Sequence, residues 1–242
     1  MNNDFIISLN FDKDYLMEKN MENIKENRDI ILTKINNIHK KSFFKNSIPP
    51  RLIAVSKKQE EYKIDDAIKI GHRFFGENRV QEAIQRWENR TKIYNDIELR
   101  LIGPLQTNKV KQALQTFNVI ETIDREKLAK SISDNINDNV KTKSFYIQVN
   151  TGNEAQKAGV LALEADNFIE YCKNDLILPI IGLMCIPPEN EEPAMHFSLL
   201  RKIAIKNNLI ELSMGMSNDF EEAIKFGATS VRIGSKFFGD RN

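Results

Sequence analysis

The sequence contains few of the residues that disulfide scaffolds and metal centres require. Among its 242 residues are only two cysteines, Cys172 and Cys185, which are too few for a disulfide framework and fit a reducing compartment. The three histidines, His39, His72 and His196, are scattered, and none follows a predicted strand. A histidine-spaced metal site is therefore not expected.

An excess of charge and long apolar runs are also lacking. The formal net charge of +1 provides no general attraction to nucleic acid or to an acidic membrane surface. No apolar run approaches the roughly 20 residues that span a bilayer. The N-terminus has neither the basic region nor the small-residue cleavage site of a secretory signal. These absences predict a cytoplasmic protein, without membrane or nucleic-acid partners, that binds any charged ligand locally.

The sequence does contain a regular alternation of short apolar runs and helix-patterned segments. After a helix predicted over 14–41, the predicted strands are 51–57, 73–78, 99–103, 119–124, 145–150, 178–185, 211–215 and 230–235. Helical patterns lie between them, at 65–71, 79–92, 125–139, 161–173 and 193–207. Eight such repeats predict an α/β fold, a single (β/α)₈ TIM barrel over 1–242, with an N-terminal extension and helix over 1–48. A doubly wound open sheet is the alternative, although it usually has fewer strands.

Polar and glycine residues collect at the carboxyl ends of the predicted strands, where such barrels place their working residues. At the end of the first strand, alternation puts Lys57 on the same side as Ile53 and Val55, and puts Lys58 on the other side. An apolar floor desolvates a lysine, which lowers the pKa of its amine and favours a Schiff base with an aldehyde. The alternative is that Lys57 is an ordinary surface lysine beyond a strand.

Small residues accompany the last two predicted strands. Ser213 lies in the seventh strand, and Gly234 and Ser235 end the eighth. Loops at these two positions of a barrel commonly bind phosphate through backbone N–H groups and hydroxyls. The alternative is that Ser217 only caps a helix and Gly234 only makes a turn.

Arg232 shares a face with Gly234 by strand alternation, which points its side chain into the barrel. A buried arginine stays charged and needs an acceptor. One candidate is a strand-end carboxylate such as Glu77 or Asp124. The other is the pyridine nitrogen of a pyridoxal cofactor.

Six segments, at family-like spacing between about Arg51 and Gly239, resemble the pyridoxal phosphate homeostasis protein family. They are Ala54-Val55-Ser56-Lys57, Phe75-Gly76-Glu77-Asn78 with Val80-Gln81-Glu82, Ile102-Gly103-Pro104-Leu105-Gln106-Thr107-Asn108-Lys109, Gly182-Leu183-Met184, Leu212-Ser213-Met214-Gly215-Met216-Ser217 and Val231-Arg232-Ile233-Gly234. The resemblance implies an alanine-racemase-like (fold type III) barrel that holds pyridoxal 5′-phosphate as an internal aldimine on a strand-1 lysine.

The resemblance also implies which residues bind this cofactor. Ser213, Gly234 and Ser235 would hold the phosphate, Arg232 would face the pyridine nitrogen, and two further positions would line the pocket. The full set of expected cofactor-binding residues is Lys57, Asn78, Met184, Ser213, Arg232, Gly234 and Ser235. The family is regarded as a carrier or regulator of intracellular pyridoxal phosphate, found as monomers and sometimes dimers, so apo-enzymes that require the cofactor are candidate partners.

Three positions depart from the family pattern. Ser235 stands where threonine is common, which preserves the hydroxyl, so we expect little change there. Arg100 stands where the family usually has histidine, which puts any pocket role of that histidine in doubt. Lys58 stands where threonine often follows the lysine, so the sequence offers a second amine, although alternation favours Lys57.

An enzyme is the main functional alternative to a carrier. A racemase needs a base on each face of the substrate α-carbon, and Lys57 can serve as one. The sequence predicts no tyrosine near the barrel mouth, since Tyr146 lies toward the start of its strand. We therefore expect a carrier without established turnover. A weakly active racemase-like enzyme and a Schiff-base aldolase acting on a phosphosugar are the alternatives.

Overall fold

In the computed structural model, which describes residues 3–239 and the side chains of residues 19–239, parallel strands pair edge to edge around a closed barrel. The barrel strands are β1 Arg51–Val55, β2 Phe74–Glu77, β3 Glu98–Leu101, β4 Val119–Ile123, β5 Ser144–Asn150, β7 Ile180–Met184, β8 Glu211–Ser213 and β9 Ser230–Ile233. β1 pairs with both β2 and β9, and β4 pairs with β5, which closes the ring. A two-residue strand, β6 Val160–Leu161, pairs with the end of β5.

Helices connect the strands and cover the outside of the barrel. They are α1 Asn3–Lys41, α2 Glu61–Lys69, α3 Val80–Ile93, α4 Val110–Thr116, α5 Glu126–Ser133, α6 Ala165–Glu170, α7 Pro193–Lys206, α8 Phe220–Lys225 and α9 Ser235–Phe238. α6 continues into a wider helical turn over Tyr171–Asp175. Within the described residues, no helix has the length and apolar character needed to cross a membrane.

The two faces of each strand meet different surroundings, because side chains alternate along a strand. On β1, Leu52 and Ala54 belong to the large apolar core that the strands share with the helices. Ile53 is also fully buried but faces the barrel interior, where a Cβ added to Gly76 would lie 3.1 Å from it. Because of this alternation, the side chains that face the helices stabilise the fold, and the positions that face the barrel interior are available for polar groups.

The N-terminal helix packs against the side of the barrel. Ile24, Ile31 and Ile35 are buried in the main core, and Ile38 is half-buried against it. α1 contacts α2, α8 and α9. These apolar side chains therefore serve an intramolecular contact over this part of the helix. The side chain of Met17, which continues the same apolar spacing in the sequence, lies outside the described ones.

The predicted barrel is confirmed, and the open-sheet alternative is wrong because β4 pairs with β5. Most strands end one or two residues earlier than the sequence pattern predicts. The chain leaves β1 after Val55 and enters a turn in which Lys58 has a φ of 58°. The predicted helix over 125–139 is shorter and ends at Ser133. That the whole chain forms one domain stays a prediction.

Candidate active site at the barrel mouth

The carboxyl ends of β1, β2 and β9 meet at one place on the barrel mouth. In the strand register, Val55 lies opposite Gly76, and Ala54 lies opposite Ile233. The residues that follow these pairs, Lys57, Asn78 and Gly234, are all half-buried. The structure thus brings together three residues that come from distant parts of the sequence.

Asn78 is held by the loop that follows β3. A Cβ added to Gly103 would lie 2.3 Å from the backbone oxygen of Asn78, so only glycine permits this approach. Thr122 donates to the Gly103 carbonyl at 2.8 Å and fixes the same loop from β4. Gly103 therefore fixes the backbone of Asn78 at the end of β2, the strand that pairs with β1.

The turn after β9 is open enough for a ligand to approach its backbone. A Cβ added to Gly234 would make only ordinary contacts, with the Val55 carbonyl oxygen at 3.6 Å and the Val55 Cβ at 3.7 Å. Ser235, the next residue, is exposed. Lys236 Nζ donates to the Ser217 carbonyl at 2.5 Å, which brings the loop after β8 beside this turn.

Ser213 lies deeper in the barrel than the sequence suggested. It is opposite Ser230 in the strand register, roughly 13 Å before Gly234 at the usual rise per residue. Its hydroxyl donates to Glu121 Oε2 at 2.5 Å and accepts from Arg232 Nη1 at 2.7 Å. From the loop after β8, Ser217 reaches the Gly234 turn. Ser217 belongs to the motif Leu212-Ser213-Met214-Gly215-Met216-Ser217, but it is not among the cofactor ligands expected from the sequence.

Arg232 is buried in the barrel, as alternation predicts, but neither of the suggested strand-end carboxylates is its partner. Its Nη2 donates to the Cys185 carbonyl at 2.8 Å, and its Nη1 reaches Glu121 only through Ser213. Glu77 points away from the interior and accepts a hydrogen bond from Trp87. Asp124 pairs with its neighbour Arg125.

A buried ion pair lies beneath this site. Arg100 Nη1 donates to Glu121 Oε1 at 2.9 Å, and both side chains are at most 2% exposed. Arg100 Nε also donates to Glu98 at 2.6 Å. Burial works against the charge on Arg100, but Glu121, Tyr146 and Glu98 outweigh it, so the pKa of the guanidinium is raised. Arg100 therefore carries a permanent positive charge, whereas a histidine at this position could lose its proton.

Met184 and Tyr146 fill the interior next to that ion pair. They form a small apolar cluster with Val119. A Cβ added to Gly182 would lie 2.7 Å from the Tyr146 ring, so glycine there makes room for the ring. Burial raises the pKa of the Tyr146 hydroxyl, which donates to Glu211 at 3.3 Å. Tyr146 thus lies below the mouth, as the sequence indicates. Another tyrosine of the chain, Tyr15, has its side chain outside the described ones.

No group of three or more histidine, cysteine, aspartate or glutamate side chains within 19–239 is arranged to hold a metal ion. His72 is buried instead among Phe74, Phe75 and Phe237, and its Nε2 lies 2.8 Å from the Phe74 carbonyl. Burial lowers the pKa of His72 to about 4. This histidine is a neutral packing residue.

Comparison with known proteins assigns the chain to a family. A family model described as alanine racemase, N-terminal domain, matches residues 35–242. The pyridoxal phosphate homeostasis protein of Vibrio alginolyticus is 36% identical over 202 residues, which cover 79% of this chain and 87% of the relative. The homologue of the same name from Aquifex aeolicus is 38% identical over 203 residues, with the same coverage. The chain belongs to the pyridoxal phosphate homeostasis protein family.

Solved structures agree with this family assignment. PipY of Synechococcus elongatus without PLP has a TM-score of 0.73 and 30% identity, covering 85% of this chain and 100% of PipY. The PipY structure with PLP bound has a TM-score of 0.68 and 29% identity over the same shares. The alanine racemase of Corynebacterium glutamicum, at 16% identity and a TM-score of 0.63, covers 91% of this chain and 62% of the racemase, and it shares the fold.

Proposed function

We propose that this protein binds pyridoxal 5′-phosphate (PLP) at the barrel mouth and serves PLP homeostasis, with Lys57 as the covalent attachment point. Relatives are named pyridoxal phosphate homeostasis proteins, and one structure of the similar protein PipY has PLP bound. The observation that carries the proposal is the meeting of Lys57, Asn78 and the Gly234 turn at one end of the barrel.

The residues at the mouth fit the chemistry of this ligand. When bound, PLP supplies an aldehyde carbon that an amine can attack and a phosphate that needs donors. Lys57 provides the amine. The open backbone at Gly234, with the hydroxyls of Ser235 and Ser217, would hold the phosphate, because no Cβ blocks the approach there. Asn78 would line the pocket between these two ends.

Arg232 would face the pyridine nitrogen, and Met184 would line the pocket nearby. The Cys185 carbonyl and the Ser213 hydroxyl hold the guanidinium in place. We therefore assign the Ser213 hydroxyl to Arg232 rather than to the phosphate. A cation beside the ring nitrogen disfavours its protonation, which makes the ring a weaker electron sink.

This arrangement favours a carrier or regulator over a racemase. Racemisation needs a second base opposite Lys57. Tyr146, the strand tyrosine, is buried with its hydroxyl directed to Glu211, and its pKa is raised by burial. We propose apo-enzymes that require PLP as recipients, and a monomer or weak homodimer as the working state.

Titration with PLP tests the proposal, with Lys58→Ala as the matched control for Lys57→Ala. The unmodified protein and Lys58→Ala should both develop a visible absorption band, and Lys57→Ala should not. A band of full strength in Lys57→Ala would mean that PLP attaches to another residue. An unmodified protein that takes up no PLP would contradict the function and favour the phosphosugar aldolase.

A further inference from the structure

Lys57 lies in a tight turn whose backbone is strained. Gln59 N donates to the Ser56 carbonyl at 3.1 Å, which makes Lys57 and Lys58 the two central residues of a four-residue turn. Lys58 has a φ of 58°, in the left-handed region that side chains other than glycine rarely adopt. Such a conformation persists only where surrounding contacts hold it.

Arg86, on α3, supplies those contacts. Its Nη1 donates to the Ser56 carbonyl at 2.9 Å, and its Nη2 donates to the Gln59 carbonyl at 3.2 Å. One planar guanidinium therefore bridges the first and last carbonyls of the turn that carries Lys57. Lysine could not reproduce this bridge, because its ammonium lacks the fixed fork of donors.

Glu77, at the end of β2, holds the arginine from below. Its Oε1 accepts from Arg86 Nη1 at 3.1 Å, from Trp87 Nε1 at 3.1 Å and from the Ser56 hydroxyl at 2.7 Å. Glu77 is fully buried, and Arg86 has 13% of its side chain exposed. The Ser56 hydroxyl thus ties the residue before Lys57 to Glu77 on the outer side of the barrel, which fixes where the turn begins.

We infer that Arg86 and Glu77 are positioning residues that preset the direction of the Lys57 amine at the barrel mouth. The inference rests on the proposed attachment of PLP at Lys57. It assigns a role to the side of α3 that faces β2, because Arg86 and Trp87 both donate to the Glu77 carboxylate from there. Neither residue needs to touch the ligand.

Arg86→Gln tests this inference, with Arg90→Gln as the matched control. Arg90 lies one turn further along α3 and pairs with Glu61 and Asp65, but it makes no hydrogen bond to the residues of the Lys57 turn within the described contacts. We expect Arg86→Gln to lower PLP affinity about tenfold, since two carbonyl contacts are lost. Arg90→Gln should bind PLP within about twofold of the unmodified protein, because its carboxylate partners, Glu61 and Asp65, lie outside the Lys57 turn.

A second readout does not depend on PLP. Reductive methylation of the apo-protein, followed by peptide mass spectrometry, measures the reactivity of Lys57 relative to Lys58. Arg86→Gln should change this ratio several-fold, and Arg90→Gln should leave it unchanged. If Arg86→Gln does not fold, Arg86→Lys replaces it, and a smaller change in the same direction is expected because the ammonium can still donate to one of the two carbonyls.

The outcomes separate this inference from the proposed function. Unchanged affinity and an unchanged reactivity ratio in the Arg86 variant would overturn the inference while leaving PLP binding at Lys57 intact. Equal losses in Arg86→Gln and Arg90→Gln would also overturn it, because the effect would then follow α3 stability. A failure of the unmodified protein to attach PLP at Lys57 would refute the proposed function, and the reactivity ratio would still decide the role of Arg86.

Discussion

Removing the charge of Arg100 should destabilise the protein far more than removing an exposed charge. Arg100→Met leaves Glu121 fully buried with the Ser213 hydroxyl as its remaining hydrogen-bond partner. Breaking a buried ion pair by removing one partner costs about 3–5 kcal/mol. For a chain of this size, we expect the melting temperature to fall by roughly 6–20 °C.

Three further variants show whether the ion pair causes that loss. Glu121→Gln should cost less than Arg100→Met, because Arg100 keeps its contact with Glu98 at 2.6 Å. The double variant Arg100→Met/Glu121→Gln should recover much of the loss, since no buried charge is left alone and the glutamine oxygen still accepts from Ser213. Lys92→Met, which breaks an exposed pair with Glu88, should cost no more than about 1 kcal/mol.

Urea denaturation followed by circular dichroism measures these free energies of unfolding. A loss in Arg100→Met no larger than that in Lys92→Met would contradict the stabilising role of the buried ion pair. Losses of Arg100→Met and Glu121→Gln that simply add in the double variant would contradict it as well, since additivity would mean that the two side chains do not interact.

Two other predictions concern acid stability and the phosphate turn. Because the pKa of His72 is about 4 in the folded protein and about 6.5 when unfolded, the unfolded state binds a proton first as the pH falls. The contribution of His72 to the free energy of unfolding is therefore fully present above about pH 6.5 and falls by roughly 3 kcal/mol toward pH 4. His72→Gln should flatten that part of a pH series of melting temperatures, and an unchanged slope would contradict this prediction. Gly234→Ala should change the free energy of unfolding by no more than about 0.5 kcal/mol, because the Cβ of the alanine would meet only Val55, at ordinary contact distance. The same change should weaken PLP binding at least about tenfold in a fluorescence titration if the phosphate approaches the backbone there, and undiminished affinity would place the phosphate elsewhere.

The sequence predicts the barrel and much of its mouth because both depend on local patterns. Period-two alternation indicates that Lys57 and Arg232 face the interior, and strand order then brings the ends of β1 and β9 together. Lys57, Asn78 and Gly234 could therefore be nominated as one site. The ends of strands are less predictable, because the turn at Lys58 depends on contacts from α3.

The groups that support the site could not be predicted, because their contacts join distant positions. Glu121 meets Arg100 from 21 residues away and Ser213 from 92 residues away. Arg86 lies within an amphipathic helix whose sequence pattern treats it as a surface cation. Only the strand register and the packing of α3 reveal these partners. The depth of Ser213, which changes its proposed role, likewise follows from its pairing with Ser230.

Borohydride reduction of the PLP-loaded protein, followed by peptide mass spectrometry, shows whether Lys57 is the attachment point. We expect the visible band to bleach and a single pyridoxyl adduct to be found on Lys57. An adduct on Lys58 or on another lysine, or no adduct at all, would contradict it.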